Sequence, residues 1–280
     1  MISFPPCKIN LGLQIRHKRA DGYHALSTIF YPVPFTDVLE LIRSSDNSQP
    51  VHFFASGLPI AGDPVQNLCV RAVMLMRTRF PDLPSVEIRL HKVIPTGAGL
   101  GGGSSDGAHT LLLLNQLFSL GLSQEELAAM ALQLGSDCPF FIYEKPTLAH
   151  GRGEIFEPIS LDLKGYQLVL IHPGIHVSTA EAFHSLNRPK NEDWPLLPWQ
   201  DVVARPVATW KDNLINDFEA PVFAVHPRIA QLKAMLYQMG AVYASMSGSG
   251  SAVFGLFEPE TPISVEADPG HRVFQCRLAV

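Results

Sequence analysis

Residues 95 to 108 read Pro-Thr-Gly-Ala-Gly-Leu-Gly-Gly-Gly-Ser-Ser-Asp-Gly-Ala. Glycine stands at 97, 99, 101, 102 and 103, followed by three residues able to cap a helix and then the apolar run 111–114. Glycine admits left-handed backbone and lets a ligand come close to the main chain. A helix that starts just after such a loop points unpaired N–H groups and the positive end of its dipole into the same space. That combination cradles phosphate. The candidate contacts are Pro95, Thr96, Gly97, Ala98, Gly99, Leu100, Gly101, Gly102, Gly103, Ser104 and Ser105. A flexible linker is the bland alternative, but linkers rarely run from a good strand straight into a good helix.

Other residues could do chemistry if the fold brings them to hand. Lys8 and Asn10 alternate with Cys7, Ile9 and Leu11, which predicts a half-buried strand over 7–17 with Lys8 on its polar face. Lys8 is then either a surface lysine or a charge on a rigid mount. Asp137 follows a helix end and precedes Cys138-Pro139, so it is either a solvated turn residue or a carboxylate held in a cleft. Tyr23 and Phe183 could stack on a flat ring, or could simply be packed. Asn67 stands near a helix start, where capping explains it as well as a ligand does.

The elements that must position these residues follow from the same patterns. Strands are expected over 37–42, 51–54 and 86–92, with a helix over 65–80 and a second from the glycine loop to 120. Ser123 and Glu126 form a capping box that opens a third helix, ending near Gly135. An apolar strand is expected over 140–143, then a strand over 167–172 and a short helix over 178–187. The stretch 188–210 reads as an ordered but irregular connection. A helix over 227–239 and strands over 242–246, 252–257 and 273–278 complete the chain. The layout suggests two α+β units, 1–156 carrying the glycine loop and 157–280.

Bulk properties narrow the classes. Apolar residues make up 46% of the 280 and charged ones 17%, so the chain can bury a core. A net charge of −5 gives no electrostatic case for nucleic acid. Cys7, Cys69, Cys138 and Cys276 are scattered, which argues against a zinc site or a disulfide framework. No basic-then-apolar leader and no membrane-length apolar run are visible, so a cytoplasmic protein without membrane partners is expected. Walker A is excluded, because no lysine follows the glycines. Gly97, Gly99 and Gly102 match the dinucleotide fingerprint formally. However, the loop follows several strands and has no acid at the required distance.

The full string from Pro95 to Ser105 resembles the phosphate loop of the GHMP kinase superfamily, which includes galactokinase, homoserine kinase, mevalonate kinase and phosphomevalonate kinase. Pro6-Cys7-Lys8-Ile9-Asn10-Leu11 resembles the family's first motif, and Met246-Ser247-Gly248-Ser249-Gly250-Ser251 its third. All three stand in the family's order. Three further segments resemble the branch that acts on a cytidine diphosphate-linked methylerythritol: Arg19-Ala20-Asp21-Gly22-Tyr23-His24, Gly135-Ser136-Asp137-Cys138-Pro139-Phe140, and His172-Pro173-Gly174 with Thr179 and Phe183. Ser136 and Cys138 depart mildly from the small or aliphatic residues expected there.

The resemblance implies an α+β, two-domain architecture. An N-terminal unit like ribosomal protein S5 domain 2 and a ferredoxin-like C-terminal unit would have the active site in the cleft between them. It implies transfer of a phosphoryl group from ATP to the 2-hydroxyl of that small molecule, in the non-mevalonate route to isoprenoid precursors. Lys8 and Asp137 become the catalytic pair at the acceptor hydroxyl, and Asn67 a neighbour of the adenosine. Asn10, Tyr23, His24, Thr179 and Phe183 become substrate contacts, with His24 reading the polar edge of the base. Mg²⁺ is implied as the companion of ATP, but no carboxylate cluster marks its ligands, and they stay unassigned. A monomer or weak homodimer is expected. Homoserine or mevalonate kinase would leave Tyr23, His24 and Phe183 without a shared purpose. A non-catalytic nucleotide-binding regulator would need neither Lys8 nor Asp137.

Overall fold

The computed structural model describes residues 1–20, 22–186, 197–265 and 268–279. In chain order the first elements are β1 (Ile2–Ser3), β2 (Pro6–Lys18), β3 (His24–Thr36), β4 (Val38–Arg43) and β5 (Val51–Gly57). Then come α1 (Leu68–Arg79), β6 (Val86–Lys92), α2 (Gly102–Leu117), α3 (Gln124–Leu134) and α4 (Phe140–Tyr143). The second half holds β7 (Thr147–Gly151), β8 (Ile155–Pro158), β9 (Gln167–His172), α5 (Thr179–His184), α6 (Trp199–Val203) and α7 (Glu219–Val225). It closes with α8 (Pro227–Gln238), β10 (Tyr243–Met246), β11 (Val253–Phe257) and β12 (Arg272–Arg277).

Internal packing groups the chain into two interleaved units. One holds Met1–Cys7, Phe35–Thr96 and Gly101–Lys145; the other holds Lys8–Pro34, Gly97–Leu100 and Pro146–Val280. A single boundary at 156–157 is thus a reading of the sequence alone, and packing follows a different line.

In the first unit the sheet order is β1-β4-β6-β5, with β5 parallel to β6 and the other pairs antiparallel. Leu39, Leu41, Ile88 and Leu90 are buried on this sheet, and α2 packs against α1, α3, α4, β1 and β4. Asn67 caps α1 by accepting the Cys69 N–H at 2.9 Å. The capping box of Ser123 and Glu126 opens α3 as expected. A hydrogen-bonded chain ties β1 to the helices: Ser3 Oγ lies 2.6 Å from His109 Nδ1, and His109 Nε2 lies 2.6 Å from Glu144.

In the second unit one sheet runs β2-β3-β7-β8 and the other β10-β11-β9-β12. Numbered within its own sheet, the second has the order 2-3-1-4, which is the ferredoxin-like order. Val169, Ile171, Met246 and Val253 pack with Ile229, Leu232 and Leu236 of α8 in one core. Among the described residues no helix is long and apolar enough to cross a membrane.

Four expectations change. Residues 140–143 form the single helical turn α4 rather than a strand, because a four-residue apolar run fits either state. β3 occupies 24–36, where no strand was expected, so the turn after β2 shrinks to a few residues. In β2 both faces are buried, leaving Lys8 only 3% and Asn10 only 1% exposed. Helical turns occupy 199–203 and 207–212 inside the supposed irregular connection. The rest of that connection, 188–196, lies outside the described residues, as do Asp21 of the 19–24 segment and Asn187 at the end of the expected helix over 178–187.

Candidate active site

The first half of the glycine loop, Gly97–Leu100, belongs to the second unit and is held there by β2 and the turn after β10. The Lys8 N–H donates to the Leu100 carbonyl at 2.9 Å, and Ala252 N–H donates to the Ala98 carbonyl at 3.1 Å. Lys8 Nζ donates to the Gly99 carbonyl at 3.1 Å and to Asn10 Oδ1 at 2.6 Å. The Ser247 hydroxyl donates to the same Gly99 carbonyl at 2.8 Å and accepts the Asn10 N–H at 3.2 Å. Asn10 Nδ2 donates to Thr28 Oγ1 at 2.9 Å, and that hydroxyl passes on to the Gly12 carbonyl. Lys8 also lies over the Phe30 ring, 4.9 Å from its centroid.

This network fixes an ammonium to the glycine loop. Asn10 is engaged inside the protein at both ends of its amide, so it orients Lys8. The turn 247–251 packs on the first half of the loop: a Cβ on Gly99 would collide with the Ser247 carbonyl. Asn216 Nδ2 braces that turn through the Met246 and Gly248 carbonyls, both at 2.8 Å. Thr179 Oγ1 reaches Ser249 Oγ at 3.0 Å, which places Thr179 beside the same turn.

The aromatic residues divide. His24 stacks on Phe183 with centroids 4.8 Å apart and planes 13° from parallel, and Phe218 meets Phe183 edge-on. Tyr23 stands outside that stack, exposed, with the Arg152 guanidinium 4.9 Å over its ring. Burial and then the Lys18 charge push His24 below the usual histidine range, so its imidazole is neutral near pH 7 and offers one donor and one acceptor.

The second half of the loop belongs to the first unit. Gly101 is the N-cap of α2, with no side-chain cap, so the helix N–H groups are left to other acceptors. Ser104, Ser105 and Asp106 therefore lie inside the helix rather than capping it. Beside this end is a cavity of about 550 Å³ lined by Phe53, Leu58, Ile60, Asn67, Thr96 and Gly103, among others. Asn67 thus both caps α1 and faces the cavity. Pro95, next to Thr96 in the chain, is buried. Asp137 is partly exposed in the turn between α3 and α4, and its carbonyl accepts the Phe140 N–H at 3.2 Å.

Among the described residues there is no group of three or more His, Cys, Asp or Glu that could hold a metal. Asp106, the nearest carboxylate on α2, is bound by Lys92 at 2.8 Å.

Sequence reasoning missed Thr28, Asn216 and the Lys92 cluster. Thr28 lies on the unexpected strand β3. Asn216 holds the turn through long-range bonds to the Met246 and Gly248 carbonyls, while locally its Oδ1 accepts the Phe218 N–H as an ordinary turn residue would.

The model for the GHMP kinases N-terminal domain matches residues 67–145, and that for the GHMP kinases C-terminal domain matches 206–268. A 4-diphosphocytidyl-2-C-methyl-D-erythritol kinase of Bacteroides fragilis is 52% identical over 264 residues, 94% of each chain. The kinase of the same name from Bacteroides thetaiotaomicron is 51% identical over 98% of each. The chain belongs to the 4-diphosphocytidyl-2-C-methyl-D-erythritol kinase family. A crystal structure of a 4-(cytidine 5'-diphospho)-2C-methyl-D-erythritol kinase superposes with a TM-score of 0.78 at 35% identity, covering 91% of this chain and 90% of that one. Methanococcus jannaschii mevalonate kinase shares the fold, with a TM-score of 0.73 at 15% identity, covering 100% and 98%. Both family models fall on the α+β elements described above. Membership in this family puts the glycine loop, Lys8 and Asp137 in a kinase.

Proposed function

We propose that the protein is an ATP-dependent kinase that phosphorylates the 2-hydroxyl of 4-diphosphocytidyl-2-C-methyl-D-erythritol. The observation that carries this reading is the Lys8 ammonium fixed at 3.1 Å on the Gly99 carbonyl, inside the phosphate-binding loop. That bond puts a cation on the first half of the loop, whose glycine backbone already suits anions.

The roles follow from the residues. N–H groups along 97–105 hold the phosphates, and the cavity lined by Asn67, Thr96 and Gly103 takes the nucleoside. Lys8 stabilises charge at the acceptor hydroxyl, with Asn10 and Ser247 fixing its position. The hydroxyl oxygen attacks the γ-phosphorus, the bond to the bridging oxygen breaks, and ADP leaves. Asp137 orients the hydroxyl and receives its proton. A loose transition state asks little of a base, so orientation is its larger part. Magnesium supplies charge neutralisation through the nucleotide's phosphates when bound.

For the cytidine end, neutral His24 reads the polar edge of the base, with Phe183 behind it and exposed Tyr23 offering a second ring. Thr179, beside Ser249, lines the same region of the second unit. We place the protein in the cytoplasm as a monomer or weak homodimer.

The direct test follows ADP release with magnesium, ATP and a panel of acceptors. Release with the cytidyl substrate alone supports the reading; release with homoserine or mevalonate redirects it. Asp137→Asn is expected to lose most turnover while ATP binding survives. Near-normal turnover in that variant would remove Asp137 from the mechanism.

A further inference from the structure

Behind the second half of the loop lies a cluster of buried charge that the reaction as derived does not use. Lys92, at the end of β6 and 2% exposed, donates to Asp37 at 2.5 Å and to Asp106 at 2.8 Å. Asp37 is fully buried just before β4, and its other oxygen accepts the N–H groups of Val93 and Ile94 at 2.5 and 2.9 Å. Those two residues lead from β6 toward the glycine loop. Asp106 sits in the second turn of α2. A Cβ on Gly102 would lie 3.2 Å from Lys92 Nζ, so the ammonium sits directly against the first residue of the helix.

One cation and two carboxylates leave the cluster at −1 when both acids are ionised. Unbalanced buried charge is costly, and two carboxylates on one site favour a shared proton. Asp106 is the group that takes it. Burial raises it, Lys92 lowers it and Asp37 raises it again, leaving it pushed up to about 7. Asp106 Oδ1 is buried with no hydrogen-bond partner, which leaves an oxygen for the proton.

The other groups around it are accounted for. Cys69 of α1 is pushed up by its own burial and then by Asp106. His109, on α2 itself, is engaged by Ser3 of β1 and by Glu144 after α4. Glu126 at the exposed start of α3 pairs with Arg79, and Glu40 of β4 pairs with Arg89.

We propose that Lys92, Asp37 and Asp106 position the phosphate-binding end of α2, and that the cluster takes up a proton when a nucleotide's phosphates arrive. The inference rests on the ATP reading above. Phosphates bring negative charge to the same turn that the cluster supports from behind. A cluster at −1 repels them, and a neutral one does not. A ligand that favours the protonated form must bind less tightly as pH rises past the group's midpoint.

The test is calorimetric titration with magnesium and ADP, which bind without turnover, at pH 6 to 8 in buffers of different protonation enthalpy. The dissociation constant is expected to rise about three- to tenfold from pH 6 to pH 8, with fractional proton uptake near pH 7. Asp106→Asn should bind ADP with less proton uptake and a flatter pH profile. This comparison also separates the cluster's proton from the nucleotide's own. An infrared difference spectrum of the unaltered protein should gain a protonated-carboxyl band on binding, which requires no variant to fold. ADP binding with no such band, and with proton uptake equal in both proteins, would overturn the inference. Absence of ADP binding at every pH would overturn the ATP reading beneath it.

Discussion

The two halves of the glycine loop look alike in sequence and are built on different principles. In Gly97–Leu100 the glycine at 99 is required by the protein itself. Its φ is +78°, and a side chain there would strike the Ser247 carbonyl. In 101–103 the reasons differ: Gly101 has a left-handed φ of +69°, and at the next two the question is space. A Cβ on Gly102 would come within 2.8 Å of Ile94 Cγ2, yet one on Gly103 would meet nothing within 4 Å. Gly103 faces the 550 Å³ cavity, so nothing in the protein accounts for its lack of a side chain. Close approach of a ligand would. Folding thus shapes the first half and also Gly101, with φ +69°, and Gly102, which leaves Gly103 as the glycine that occupancy would explain.

Gly99→Ala should break the first half outright. Left-handed strain costs about 1–2 kcal/mol, and overpacking against backbone adds about 1–3 kcal/mol. A loss of roughly 2–5 kcal/mol in a denaturant titration is expected, and a loss below about 1 would mean that the turn 247–251 yields easily.

The second half, by contrast, should carry the pH dependence. Asp106 is held above the ordinary carboxylate range, so the folded chain keeps its proton after the unfolded chain has lost it. Its contribution to stability is full below about pH 4 and is lost as pH rises to about 7, at up to about 1.4 kcal/mol per pH unit. Asp106→Asn should flatten that part of a stability-against-pH curve. An unchanged slope would assign it elsewhere.

Gly102→Ala sets a gain of about 1 kcal/mol in helix propensity against a clash with Ile94 and Lys92 worth about 1–3 kcal/mol. A net loss near 1 kcal/mol is expected from thermal unfolding. Gly103→Ala is the smallest and most telling change. Stability should rise by about 0.5–1 kcal/mol, while KM for ATP rises and kcat holds. An unchanged KM would end the case for occupancy.

Much of this was legible beforehand because its signals are local. The loop, the Ser123–Glu126 capping box and the strand at 167–172 each declare themselves within a few residues. The strand β3 did not, since Pro32 and Pro34 interrupt its alternation. Burial of both faces of β2 was hidden as well. Its alternation implied a wet face, whereas Lys8 and Asn10 are satisfied by Gly99, Thr28 and Ser247 far along the chain. The Lys92 cluster joins residues 37, 92 and 106, and each alone reads as an ordinary charge. Chemistry that depends on a partner distant in sequence leaves no spacing to read.

The burial of the cysteines has a practical consequence. Cys7 is wholly buried, burial pushes Cys69 far up and Cys138 up to about 12, and Cys276 is up to about 11. At neutral pH such thiols hold little thiolate, the form that reacts with alkylating dyes. A Gln66→Cys thiol at the exposed rim of the 550 Å³ cavity would therefore be the fast-labelling one without removal of any native cysteine. The dye it carries would report nucleotide occupancy by its colour.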